Sequence, residues 1–224
     1  MHILKIYITL ISLALSFSIA YSQPRQPKAN DGPRTNSVVA NSHLQANTWQ
    51  AHTYLKTNVL GLGAAIANVA FEVDMAKHWS FNLPVYYSAW DYFKSTVKFR
   101  TFAVQPEFRY WTSKHGNDGL FIGAHFGMAY YNLAFDGRFR YQDRDGDTPA
   151  LGGGLSLGYR MPLGTDSRWK MEFSLGVGYY PLEYDLFHNV RNGALSHYEK
   201  RKYLGLDQAT VSFVYMLNRN KQRK

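Results

Sequence analysis

Cysteine is absent from the 224 residues. That excludes disulfide frameworks, thiolate metal sites, iron–sulfur clusters, Cys nucleophiles and a lipid-modified N-terminal Cys. Charge is scarce too: Asp, Glu, Lys and Arg make up 18% of the chain, against an average of ~25%. Few charges beside many large apolar side chains exclude a disordered main body. Long apolar runs are the third lack. Beyond the N-terminal stretch no segment approaches ~18 consecutive apolar residues, so no helix there is long and apolar enough to cross a membrane.

What the chain has instead is aromatic residues, 16% of the total, and they fall in a regular pattern. Along 52–217 apolar and polar residues alternate, as in strands with one apolar face. In 169–180, Trp169, Met171, Phe173, Leu175, Val177 and Tyr179 lie on one side, opposite Lys170, Glu172, Ser174, Gly176, Gly178 and Tyr180. The same alternation runs through 53–62, 67–75, 79–87, 101–110, 120–130, 151–163 and 204–217. The spacing predicts eight strands with no room for helices of any length, so the fold class is all-β.

Such strands close into a barrel in one of two senses. A soluble, lipocalin-like carrier turns its apolar face inward. An outer-membrane barrel turns that face to lipid and fills its lumen with polar side chains. The polar face here holds Gly123, Gly127, Gly152, Gly154, Gly158, Gly176 and Gly178. A solvated face has no use for glycines, which weaken strands, whereas a narrow lumen must set small residues beside large ones. Trp79 and Tyr87 bracket one apolar face, and Trp169 and Tyr179 another. Ten residues at ~3.3 Å, tilted ~40°, span about 25 Å, the height of the apolar band between aromatic girdles. The expectation is an eight-stranded antiparallel, up-and-down transmembrane barrel of the outer membrane, with the soluble carrier as an alternative.

Long connections are expected at 88–99, 136–149 and 185–203, alternating with shorter ones. That places the long ones outside and both termini in the periplasm. Lys5 precedes an apolar stretch from Ile6 to Ile19, and Ala20-Tyr21-Ser22 offers small residues at a cleavage site. The expected organisation is therefore a signal peptide at 1–22, a flexible periplasmic arm at 23–51, the barrel at 52–217 and a basic periplasmic tail at 218–224. The net charge of +9 collects mostly in the flexible ends. With no basic face interleaved with aromatics, nucleic acid is not an expected partner.

The candidate site residues lie on the lumen face. Lys56, Arg109, Arg160 and Lys170 stand against Glu72, Asp74, Glu107 and Glu172, four cations to four anions, and His125 joins them. Buried charges need partners, so these nine residues predict a structural salt-bridge ladder plugging the barrel rather than an ion path. Asp143-Arg144-Asp145-Gly146-Asp147 imitates the start of a calcium loop. Thr148 and Gly154, however, stand where such a loop wants Gly and Glu. An exposed acidic turn is expected, and the sequence leaves a calcium role for Asp143, Asp145 and Asp147 open. His188, Ser196, His197 and Glu199 share the last long connection. Nucleophilic catalysis needs such groups oriented by packing, and a segment with Asn189, Arg191, Asn192 and Gly193 promises none. A lipid-modifying enzyme is thus an alternative, not the expectation. No cofactor and no metal are expected.

Phe81-Asn82-Leu83-Pro84-Val85-Tyr86-Tyr87 with Trp90, and Val104-Gln105-Pro106-Glu107-Phe108-Arg109-Tyr110-Trp111, resemble a family of small outer-membrane proteins known as domain of unknown function 3575. The resemblance continues through Gly123-Ala124-His125, Gly152 to Tyr159 and Glu172 to Tyr180, and covers about 52–217. It implies a Gram-negative outer-membrane location and a link to fimbrial adhesin systems; it brings no established activity and no catalytic residues. The reading is a monomeric outer-membrane barrel in the cell envelope with a filled, charge-paired lumen. It acts as a structural or surface-interaction protein and contacts membrane lipid. Its outer loops meet an extracellular or fimbrial protein partner.

Overall fold

The computed structural model describes residues 50–91, 96–113, 117–164 and 168–218. The expected signal peptide (1–22), nearly all of the arm (23–51) and all but the first residue of the tail (218–224) lie outside the described residues. Among the described residues there are ten strands and one short helix: β1 (Thr53–Asn58), α1 (Val59–Gly63), β2 (Ala67–Ala76), β3 (Trp79–Asp91), β4 (Val97–Val104), β5 (Glu107–Trp111), β6 (Gly119–Phe135), β7 (Phe139–Asp143), β8 (Ala150–Pro162), β9 (Trp169–His188) and β10 (Leu195–Met216).

All pairings are antiparallel, and β1 on β10 closes the sheet into a barrel. The ten strands make eight walls. β4 and β5 form one wall between β3 and β6, interrupted at Gln105-Pro106 because proline cannot donate to the ladder. β7 and β8 form another, between β6 and β9, with Arg144–Pro149 bulging out of it and an isolated bridge from Arg144 to Thr148.

Four expectations are corrected. The first strand stops at Asn58 and not at residue 62, and the expectation of no helix fails for the single turn α1. The Asn58 side chain caps α1 by accepting from Leu60 N–H at 3.1 Å, and Asn68 clamps the turn by accepting from Asn58 N–H at 2.6 Å. The expected long connection at 185–203 is mostly strand: β9 and β10 continue as a paired hairpin joined by a turn at 189–194. Along 196–202 polar residues occupy both faces, so the alternation that marks a half-buried strand vanishes on the β10 side, although Leu182, Tyr184 and Leu186 continue it on β9. The expected loop at 136–149 likewise contains β7.

Alternation sets which side chains enter. Glu72, Arg160 and Glu172 are all but fully buried, whereas Leu155, Leu157, Val177 and Trp169 on the other face are each more than half exposed. The apolar faces therefore turn outward, the opposite of what the soluble-carrier alternative requires. The buried apolar cluster is small, Tyr54 with Val214 and Met216, near the end where β1 begins and β10 finishes.

Candidate functional site

The middle of the lumen is filled by ions. β1 contributes Lys56, β2 Glu72, β5 Glu107 and Arg109, β8 Arg160 and β9 Glu172, each at an inward position of its strand. Lys56 Nζ lies 2.6 Å from Glu72 and 3.0 Å from Glu172. Arg109 reaches Glu72 at 3.0 Å, Glu172 at 2.8 Å and Glu107 at 2.5 Å. Arg160 sits 2.5 Å from both Glu72 and Glu172. Three cations and three carboxylates thus form one neutral cluster in which Glu72 and Glu172 each serve all three cations.

The cluster is held by its surroundings as well as by its charges. The Arg160 guanidinium lies between the rings of Trp111 (4.4 Å) and Tyr54 (4.7 Å), and Arg109 lies over Phe121 at 4.3 Å. Asn82 donates to Glu107 at 3.2 Å, and Ser156 donates to its other oxygen. Next to Lys56, Arg109 and Glu172 there remains a cavity of about 20 Å³, room for one water. Chemically this arrangement is a plug of paired charges: each of the three cations meets at least two carboxylates.

The remaining predicted residues are placed differently from the expected ladder. Lys170 is buried but pairs with Asp118 of the β5–β6 connection, at 2.6 Å, and not with a strand carboxylate. Asp74 has no Lys or Arg partner among the described residues. It accepts from the Asn117 amide at 2.6 Å, the Tyr54 hydroxyl at 3.3 Å and His52 N–H at 3.2 Å. His125 donates from Nε2 to Asp207 at 2.6 Å, and the Tyr180 hydroxyl donates to the same oxygen at 3.0 Å. All nine predicted side chains are buried in the barrel, but only six share the central cluster.

Sequence reasoning missed Asp118 and Asp207. Asp118 lies in a connection, where alternation says nothing. Asp207 sits at a register shift between Leu206 and Gln208, where an extra residue in β10 exchanges the two faces. A signal was available: the outward apolar positions change from even (Leu204, Leu206) to odd (Val211, Phe213, Tyr215) across that point.

Above the cluster, toward the long-connection end, the lumen widens into a cavity of about 320 Å³. Tyr86, Phe99, Met128 and Tyr180 supply its larger walls, and Asp207 and Gln208 line it too. Glycines make the room. A Cβ at Gly127 or Gly152 would strike Tyr180, and one at Gly178 would strike Asp207.

The other candidate residues lie elsewhere. Ser196 and His197 are neighbours in β10, exposed, with the hydroxyl 3.1 Å from Nδ1. Glu199 bonds Tyr184, and His188 packs on Phe139 with ring centres 5.7 Å apart. Of the acidic turn, Asp143 is buried, and burial pushes its carboxyl above the ordinary value. Asp145 pairs with Arg144 at 3.4 Å. Among the described residues no group of three or more His, Asp or Glu side chains is placed to hold a metal ion.

A family model described as "Protein of unknown function (DUF3575)" matches residues 36–217. No curated protein and no solved structure matches the chain.

Proposed function

The chain belongs to this family of unknown function, and from that premise we propose that it is an outer-membrane barrel, sealed along its axis, that serves as a structural or surface-interaction protein and not as an enzyme. The observation that carries the reading is the inversion of the barrel. Its ions are inside, and its outer surface is apolar over nearly every strand: Leu55, Phe71, Phe108, Ile122, Phe126, Leu155, Leu157 and Val177 are all exposed. Soluble monomers do not present apolar surface on that scale; lipid requires it.

Aromatic pairs support the same reading. At the short-turn end Trp79 packs on Tyr110 at 5.2 Å and Trp169 on Tyr215 at 4.8 Å. At the other level Tyr87 and Tyr179 are exposed. Two aromatic levels about 25 Å apart match the girdles of a membrane barrel. The β9–β10 hairpin and the Arg144–Pro149 excursion rise from the long-connection end and would supply the surface for an extracellular or fimbrial protein partner.

Fractionation of expressing cells, with a gel run on boiled and unboiled samples, tests this. Protein in the outer-membrane fraction that migrates faster unboiled is the expected result. Protein in the soluble periplasm, with identical migration in both lanes, would end the membrane reading.

A further inference from the structure

We propose that the cavity above the ion cluster is a binding site for a small organic ammonium ion. At about 320 Å³ it falls at the lower end of the range for small-molecule pockets. Of the residues lining it, Asp207 is the one that carries a formal charge. Lys56, Arg109, Arg160 and Lys170 are committed below it, to Glu72, Glu107, Glu172 and Asp118. The formal charge on the lining of the cavity is therefore negative.

The carboxylate is built in. His125 Nε2 and the Tyr180 hydroxyl both donate to Asp207 Oδ2, while Oδ1 has no hydrogen-bond partner among the described residues. The β10 register shift turns Asp207 inward, and Gly178 leaves the space it occupies. The adjoining walls include the aromatic residues Tyr86, Phe99 and Tyr180. A carboxylate flanked by aromatic faces attracts a cationic nitrogen on an apolar body, through charge and through the ring quadrupoles. The same charge repels carboxylates and phosphates.

The test is calorimetric titration of the full-length folded protein in a non-ionic maltoside detergent with three probes of one shape: 2-phenylethylamine, 2-phenylethanol and 3-phenylpropionate. The amine is expected to bind saturably, at least about tenfold more tightly than the alcohol, with no binding of the carboxylate. Asp207→Asn is expected to remove the preference for the amine. Ala129→Trp, on the cavity wall and facing Ala103 across β6 and β4, is expected to abolish binding of every probe, and it keeps the question answerable if Asp207→Asn does not fold. Loss of amine binding in phosphatidylethanolamine vesicles, but not in phosphatidylcholine vesicles, would assign the ammonium to a lipid headgroup; retention in both would assign it to a free amine. Equal affinity for the amine and the alcohol, no saturable binding of the amine, or unchanged amine binding in Ala129→Trp would each overturn the proposal.

Discussion

Glu107 and Arg109 stand two residues apart on β5, so both enter the lumen, and the guanidinium turns back onto its neighbour with Nε 2.8 Å from the Glu107 carboxylate. Neither is left to the other alone. Arg109 also holds Glu72 and Glu172, and Glu107 also accepts from Asn82 and Ser156. Removing one partner from a buried pair strands the other, at a cost of about 3–5 kcal/mol. Glu107→Gln and Arg109→Gln are each expected to lower the unfolding midpoint in denaturant, and the double variant to lose less than the sum of the two. Arg109 has further partners, so its single loss should be the larger. Strictly additive losses would show that the two side chains are energetically independent despite their contact.

The sequence made the alternation legible and, through it, the nine lumen groups. Period two shows which side of a strand a residue takes, but it does not show what it meets across the barrel. That Lys170 pairs with Asp118 and not with Asp74 depends on where a connection folds back, which no periodicity encodes. The β9–β10 hairpin was hidden for a related reason. Along 196–202 both faces of β10 are polar, so Tyr198 carries strand propensity with no accompanying apolar stripe, and the alternation of Leu182, Tyr184 and Leu186 on β9 has no match on its partner. Asp207 was lost to a one-residue shift in register, which exchanges every side chain beyond it between faces.

Glycines differ in what opposes them, from the lumen face to the exposed Gly63 of α1, which predicts a graded response to alanine. At Gly154 a Cβ would press on the Val177 carbonyl and the Gly178 Cα, backbone atoms of the neighbouring wall that cannot move alone. At Gly127 it would meet the hydroxyl end of Tyr180, and at Gly63 nothing lies in reach. Overpacking costs about 1–3 kcal/mol where the surroundings cannot yield. Gly154→Ala is expected to lose stability in that range, Gly127→Ala less, and Gly63→Ala none, as measured by urea unfolding in detergent. Equal losses at 154 and 63 would contradict the close approach of the β8 and β9 backbones.

The hairpin above the barrel carries an exposed cluster with its own pH response. Glu183 accepts from Lys200 at 2.7 Å, Tyr198 at 2.6 Å and Arg144 at 3.0 Å. The hydrogen bonds from Lys200, Tyr198 and Arg144 hold its carboxyl down to about 2, against an ordinary 4.5. A carboxyl depressed in the folded state contributes order above its unfolded pKa and loses that contribution as pH falls through the folded one. The hairpin should therefore keep these contacts at neutral pH and shed them between about pH 4.5 and 2. Carboxyl-carbon NMR of Glu183 should show a midpoint well below that of an unpaired glutamate, and Lys200→Gln should raise it. An ordinary midpoint in the wild type would mean that these three contacts do not persist in solution.

Transport is the activity most often associated with barrels, and here the lumen argues against it. Eight strands leave an interior only wide enough for side chains to fill. In this chain Arg160 on β8 crosses that interior to reach Glu72 on β2, and Arg109 on β5 crosses it to reach Glu172 on β9, while Lys56 joins the same two carboxylates. Trp111, Phe121 and Tyr54 pack against the guanidinium groups, and the residual cavity beside the cluster holds about one water. A solute would have to break several charge-assisted contacts at once. Protein reconstituted in planar bilayers is therefore expected to show no steady, large-conductance step. Raising the salt to about 1 M should not change this, because buried pairs are screened far less than exposed ones. Arg160→Ala removes the side chain that fills the gap between Trp111 and Tyr54 and joins Glu72 to Glu172, so it is the change expected to let water and small ions leak. Steady solute-permeable conductance from the wild-type protein would mean that the ion cluster opens as a unit, and the description of the lumen as sealed would then be wrong.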